Sequence, residues 1–117
     1  MPTHEASLEE LEVIESVLVR TPSLREIKEF VAESYGVDVG LLSAPTRKQM
    51  IVQPRHVAMF VAKRLTPLSL ERIGMAFGGR DHSSVIHAVK SVGNQMDVYP
   101  DMVSSVTVIM EKLSGKA

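Results

Sequence analysis

The chain is 117 residues long, 44% of them hydrophobic and 4% aromatic, with no cysteine and a formal net charge of −1. That length suits one domain with a modest core, and the lack of cysteine excludes a disulfide scaffold and a cysteine-ligated zinc site. The longest strictly apolar run, residues 57–62, is far too short to cross a membrane, and no basic-then-apolar leader opens the chain, so a soluble cytoplasmic protein is expected.

Charge is unevenly spread. Residues 1–22 hold five glutamates against one arginine, whereas residues 43–90 hold eight lysines and arginines against Glu71 and Asp81. The basic half is the electrostatic footprint that binding to a phosphate backbone requires.

In chain order, residues 7–19 open with a capping-box spacing, Ser7 and Glu10, and carry Leu8, Leu11, Ile14, Val17 and Leu18 on one helical face with acids on the other. Thr21-Pro22 breaks this segment. Ser23 and Glu26 repeat the capping box before a helix with Leu24, Ile27, Phe30 and Val31 inward, running to Tyr35 with Gly36 as its C-cap. Residues 37–42 are predicted to form a short turn or helix burying Val39, Leu41 and Leu42. Residues 43–52 contain Pro45, Arg47 and Lys48 without amphipathic period and are predicted to be a basic loop.

Gln53-Pro54 is predicted to start the next helix with proline at its tolerated first position, leaving Arg55, His56, Lys63 and Arg64 for the surface. Thr66-Pro67 closes it. Ser69 caps a short helix that turns Leu70, Ile73 and Phe77 inward, Gly78-Gly79 supply a tight turn, and Asp81 stands at the N-cap of the following helix. This is a helix-turn-helix plan over about residues 69–96. On its second helix Val85, Ile86, Val89, Val92 and Met96 share one side, while Ser83, His87, Lys90 and Asn94 share the other. His82 stands at the exposed tip, where small polar residues can read base edges in a DNA major groove. After Tyr99-Pro100, Asp101 is predicted to cap a last helix carrying Met102, Val106, Ile109, Met110 and Leu113. The fold class is therefore all-α, a compact unit of about six helices, with an acidic extension over 1–22 and the main domain over 23–117.

The run Gly78-Gly79-Arg80-Asp81-His82-Ser83-Ser84-Val85-Ile86-His87-Ala88 resembles the signature of the DNA-binding domain (domain IV) of the bacterial replication initiator DnaA, a Trp-repressor-like helix-turn-helix. The resemblance extends from about Ser23 to the C-terminus, taking in Gln53-Pro54-Arg55-His56-Val57-Ala58-Met59 and Leu70-Glu71-Arg72-Ile73-Gly74. It implies a helical domain that binds A/T-rich DnaA boxes in double-stranded DNA. By that resemblance Arg47 enters the minor groove, and Asp81, His82 and Ser83 meet base edges in the major groove. Lys48, Arg55, His56, Lys63, Leu68, Ser69, Leu70, Arg80, Ser84, His87 and Lys90 are then the expected contacts to the DNA backbone, with Leu68 to Leu70 acting through main-chain amides. Two departures stand out. The loop has fewer cations than is usual for the family, and serine occupies positions 83 and 84, at one or both of which threonine is usual, so no methyl is available there to pack on a thymine.

Catalysis is not expected. Asp81, His82, Ser83 and His87 include the residue types of a hydrolytic triad, but sequence neighbours on a helix point about 100° apart. No histidine–glutamate zinc motif occurs, nor a Gly-rich phosphate loop ending in Lys-Ser or Lys-Thr; no cofactor or metal is expected, and six internal methionines read as core filler. Without a nucleotide site the chain is expected to act by occupying DNA or recruiting a partner. The first expectation is a nucleoid-associated regulator of transcription at promoter or box-like sites. The second is a replication regulator that competes for DnaA boxes or binds the initiator. The helix over residues 7–19 is expected to pack on the domain or to be a linker helix; the alternative is a docking or dimerisation helix for a protein partner, either an RNA polymerase-associated factor or the initiator.

Overall fold

The computed structural model describes residues 21–115. Helices α1 (Leu24–Tyr35), α2 (Gln49–Leu65), α3 (Leu70–Ala76), α4 (His82–Val98) and α5 (Pro100–Leu113) follow in order, with a 3-10 turn at Val39–Ser43 between the first two and no strand among these residues. The acidic helix expected over residues 7–19 lies outside the described residues.

Around α2 the other elements are arranged, and it packs against each of them. Its sequence explains this. Residues 57–62 are apolar without interruption, so this stretch of the helix has no face suited to water, and all six are buried together with Ile51 and Pro54. The start of α2 differs from the expected one: it begins at Gln49, so the loop is residues 44–48 and Pro54 lies inside the helix. Proline there has no N–H to donate to the carbonyl four residues back. Tertiary burial of the surrounding residues outweighs that loss.

The local signals at the ends of α1 hold. Ser23 Oγ accepts from the Glu26 amide at 3.1 Å while the Glu26 carboxylate accepts from the Ser23 amide at 3.3 Å. Gly36 closes α1 in the left-handed conformation, φ 68°. Ile27 and Val31 are fully buried, and Leu24 and Phe30 pack partly buried against the same core. In the 3-10 turn the expectation needs correcting: Leu42 is buried, but Val39 and Leu41 are exposed, because so short a turn directs one of the three side chains inward. α5 starts with Pro100 at its first position, so Asp101 lies in the first turn rather than at the cap. Val106 and Ile109 are its buried residues, as expected of an inward face. Of the methionines, Met59 is core, whereas Met50 and Met75 are 67% and 68% exposed and fill nothing.

In the helix-turn-helix, Ser69 Oγ accepts from the Arg72 amide at 3.1 Å, and Ile73 and Phe77 are fully buried. The turn closes with two bonds, the Arg80 amide to the Gly74 carbonyl at 2.9 Å and the Gly79 amide to the Met75 carbonyl at 3.2 Å, which satisfy two carbonyls of the last turn of α3. Glycine is required at 74, where a Cβ would stand 2.2 Å from the Arg80 carbonyl oxygen. It is required doubly at 78, where φ is 83° and a Cβ would meet the Ser43 carbonyl oxygen at 2.2 Å.

Asp81 caps α4, its Oδ1 accepting from the Ser84 amide at 3.1 Å. The buried stripe of α4 is Val85, Ala88 and Val92, with Val89 and Met96 partly buried beside it. Ile86, expected inside, is 37% exposed, while Ala88 takes a place in the core. Positions 85, 88 and 92 follow the three-then-four spacing of one helical face, and 86 falls off it.

Candidate nucleic-acid interface

The leading end of α4, the loop and the middle of α2 enclose a cleft of about 920 Å³ whose lining includes Arg47, Arg55, His56, Arg80, Ser84 and His87. A second hollow of about 420 Å³, sharing Arg55, His56, Arg80, Ser84 and His87, also reaches Asp81 and Ser83. Expected base-reading and backbone residues thus come together from three parts of the chain. Among the lining residues named, Asp81 is the lone carboxylate, and its Oδ1 is occupied by the amide and hydroxyl of Ser84 at 3.1 and 3.3 Å.

The cations here are placed against the preference of the helices. Arg47 and Lys48 precede α2, at the positive end of its dipole, and neither α2 nor α4 has an acid in its first turn. Lys48 occupies the N-cap without a side-chain capping bond. Such an arrangement adds nothing to helix stability and concentrates positive potential over one face.

Arg55 is not on the surface as expected; it is 5% exposed. Its Nε donates to the Leu42 carbonyl at 2.9 Å, and its Nη2 donates to the carbonyls of Ala44 at 2.9 Å, Thr46 at 3.1 Å and Leu41 at 3.5 Å. The 3-10 turn ends there, so its last carbonyls need donors, and a guanidinium supplies several in one plane. Burial, and then the Arg80 charge, lower the Arg55 pKa from its usual value. Arg80 is likewise bonded to main-chain carbonyls. Its Nη1 donates to the Phe77 carbonyl and its Nη2 to the Ala44 carbonyl at 2.9 Å, so it ties the turn to the loop. No carboxylate among the described residues is ion-paired with either arginine.

His56 is half-buried and stacks edge to face on His87, with centroids 5.6 Å apart. Burial lowers its pKa, and the neighbouring His87, Arg55 and Arg80 charges lower it further. These effects favour the neutral form of the ring.

Other expected contacts lie elsewhere. His82 is exposed at the start of α4 and Lys90 is exposed two turns further on, both outside the two hollows. Lys63 is exposed in the last turn of α2. Lys48 borders a separate hollow with Met50 and Leu41. Leu68 and Leu70 are partly buried against the core around Ser69, and the Leu68 amide already donates to Thr66 Oγ1 at 3.3 Å.

Lys28 escaped the sequence reading. Its Nζ donates to Ser43 Oγ at 2.7 Å and to the Ala76 carbonyl, the C-terminus of α3, at 2.5 Å, and stands 5.1 Å from the Phe77 ring centroid. Burial lowers its pKa. A signal was present, since Lys28 interrupts the Leu24, Ile27, Val31 stripe at a position that faces inward. No group of three or more His, Asp, Glu or Cys side chains suited to a metal ion occurs among the described residues, and no helix there is long and apolar enough to cross a membrane.

A short capped helix, a glycine turn and a second helix whose polar tip borders a cationic cleft define a DNA-binding helix-turn-helix domain. The family model described as the bacterial dnaA protein helix-turn-helix matches residues 24–92. The chain is 38% identical over 96 residues to the chromosomal replication initiator protein DnaA of Methylacidiphilum infernorum, covering 82% of this chain and 21% of the relative. With the protein of that name from Cereibacter sphaeroides the identity is 43% over 96 residues, with the same coverages of 82% and 21%. The match to that of an Azoarcus species is 45% over 73 residues, 62% of this chain and 15% of the relative. The chain belongs to the bacterial DnaA helix-turn-helix family, and spans about a fifth of the length of the first two relatives.

Proposed function

We propose that the chain is a sequence-specific reader of double-stranded DNA, a binding protein rather than a catalyst. α4 lies in the major groove with Asp81, His82 and Ser83 toward base edges, and the loop reaches the adjacent minor groove with Arg47. The carrying observation is the convergence of Arg47, His56, Ser84 and His87 on one cleft beside the N-terminus of α4, with Asp81 and Ser83 in the hollow next to it. An arginine presented from a loop suits the narrow, strongly negative minor groove of A/T-rich DNA. Ser84, His87, Lys48, Lys63 and Lys90 then meet phosphate or sugar, which fixes register without reading sequence. One such module covers about 600–1,000 Å² of protein surface on DNA, so binding by a single copy is weak and strongly reduced by salt.

Two uses of this binding are open to experiment. Regulation of transcription at promoter sites follows if Ser83 and Ser84 shift the preferred sequence away from the initiator's boxes. Control of replication by occupying those boxes is supported by the relatives, which are replication initiators by name. Selection from random duplex DNA with the purified chain distinguishes them: recovery of a DnaA box supports replication control, a different motif supports transcription, and no enrichment refutes sequence-specific reading.

A further inference from the structure

We propose that Arg55 and Arg80 are positioning residues, which serve DNA recognition by holding the loop that presents Arg47 and not by touching phosphates themselves. This rests on the reading above, in which Arg47 enters a groove. Arg55 is 5% exposed, and its donors are directed at the carbonyls of Leu42, Ala44 and Thr46 at 2.9, 2.9 and 3.1 Å. Arg80 reaches the same Ala44 carbonyl from the other side, at 2.9 Å, while its second nitrogen holds the Phe77 carbonyl in the turn. Gly78 lies against the Ser43 carbonyl so closely that a Cβ would stand 2.2 Å from it. The backbone is therefore fixed at 43, 44 and 46, on the approach to Arg47, by groups from α2 and from the helix-turn-helix turn.

Two like charges converge on one carbonyl although no carboxylate among the described residues pairs with them. Buried charge without an ionic partner is costly, and the fork of an arginine is the cation whose geometry can satisfy several carbonyls at once. A lysine keeps the charge but, as a point-like ammonium, cannot span Leu42 to Thr46. That difference separates clamping from phosphate contact.

The test uses the full chain with Arg47→Ala, Arg55→Lys and the double substitution, titrated at several salt concentrations against the duplex obtained by selection. Arg55→Lys is expected to lose affinity by the same factor as Arg47→Ala, and the double variant to be no weaker than either. The slope of log affinity against log salt should shrink by about 0.9, one phosphate-equivalent contact, in all three. Losses that multiply in the double variant, with a second drop in slope, would make Arg55 a direct ligand and overturn the proposal alone. Full affinity in Arg55→Lys overturns it too. Full affinity in Arg47→Ala overturns both this proposal and the loop reading beneath it. A readout without DNA completes the test: amide hydrogen exchange over residues 44–48 should quicken in Arg55→Lys while α4 keeps its protection, and unchanged exchange counts against the clamp. Should Arg55→Lys fail to fold, Arg80→Lys, which loosens the Ala44 tie from a partly exposed site, carries the same comparison.

Discussion

The imidazoles of His56 on α2 and His87 on α4 meet edge to face, their centroids 5.6 Å apart and their planes at 82°. The pair joins the central helix to the reading helix in the wall of the cleft, and gives the fold a pH dependence. The pKa of His56 is lowered by burial first, then by His87, Arg55 and Arg80. In the unfolded chain it returns to about 6.5, so the unfolded state binds more protons as the solution is acidified. The stability contributed by neutral His56 is thus present above about pH 6.5 and is lost as pH falls through the lower folded value. Urea unfolding should show a midpoint that drops between about pH 7.5 and pH 5.5, and a smaller drop in His56→Gln. Parallel losses in the two proteins would show that other groups are responsible.

Two glycines in helices should respond oppositely to alanine. At Gly74 the added methyl meets the Arg80 carbonyl at 2.2 Å, which forces the turn outward; a loss of about 1–3 kcal/mol is expected. Gly93, inside α4, has nothing within 4 Å of its Cβ position, so alanine there should stabilise by about 0.5–1 kcal/mol through helix propensity. Denaturant melts of the two variants check both signs.

Asp81 has two duties that substitution can separate. Its Oδ1 accepts from the Ser84 amide, and loss of that cap in Asp81→Ala should cost about 1 kcal/mol. Asparagine retains an accepting oxygen and caps about as well, so Asp81→Asn should keep the stability yet change the preferred base opposite this position, because the carboxylate accepts from cytosine whereas an amide also donates. Repeating the DNA selection with Asp81→Asn measures this; an unchanged motif leaves Asp81 with the cap alone.

Much of the architecture was legible because its signals are local. Ser23, Gly36, Ser69 and Asp81 each act on amides or carbonyls within four residues, and each does what its type and spacing imply. The cleft residues near α4 were legible for the same reason, standing at fixed spacing after a capped turn. Arg55 was not. An arginine just before an apolar run reads as a surface residue, and the carbonyls that stabilise it lie 9 to 14 residues earlier, in a turn whose path no local pattern specifies. The early start of α2 was hidden similarly: Lys48 is no capping residue, and Pro54 is a stronger sign of a helix start than anything at Gln49. Ile86 was expected inside, and Ala88 was assigned to neither side, because hydrophobicity alone ranks isoleucine above alanine, while the contact with α2 admits residues by their angle on the helix.

The most direct measurement is a salt-dependent titration of the purified chain with the selected duplex and a duplex of the same composition with its sequence permuted, repeated with His82→Ala. The selected duplex should be preferred by about tenfold or more, the worth of a good base contact, both affinities should fall steeply with salt, and His82→Ala should narrow the preference. Equal affinity for the two duplexes, with or without a salt dependence, would contradict sequence reading by α4.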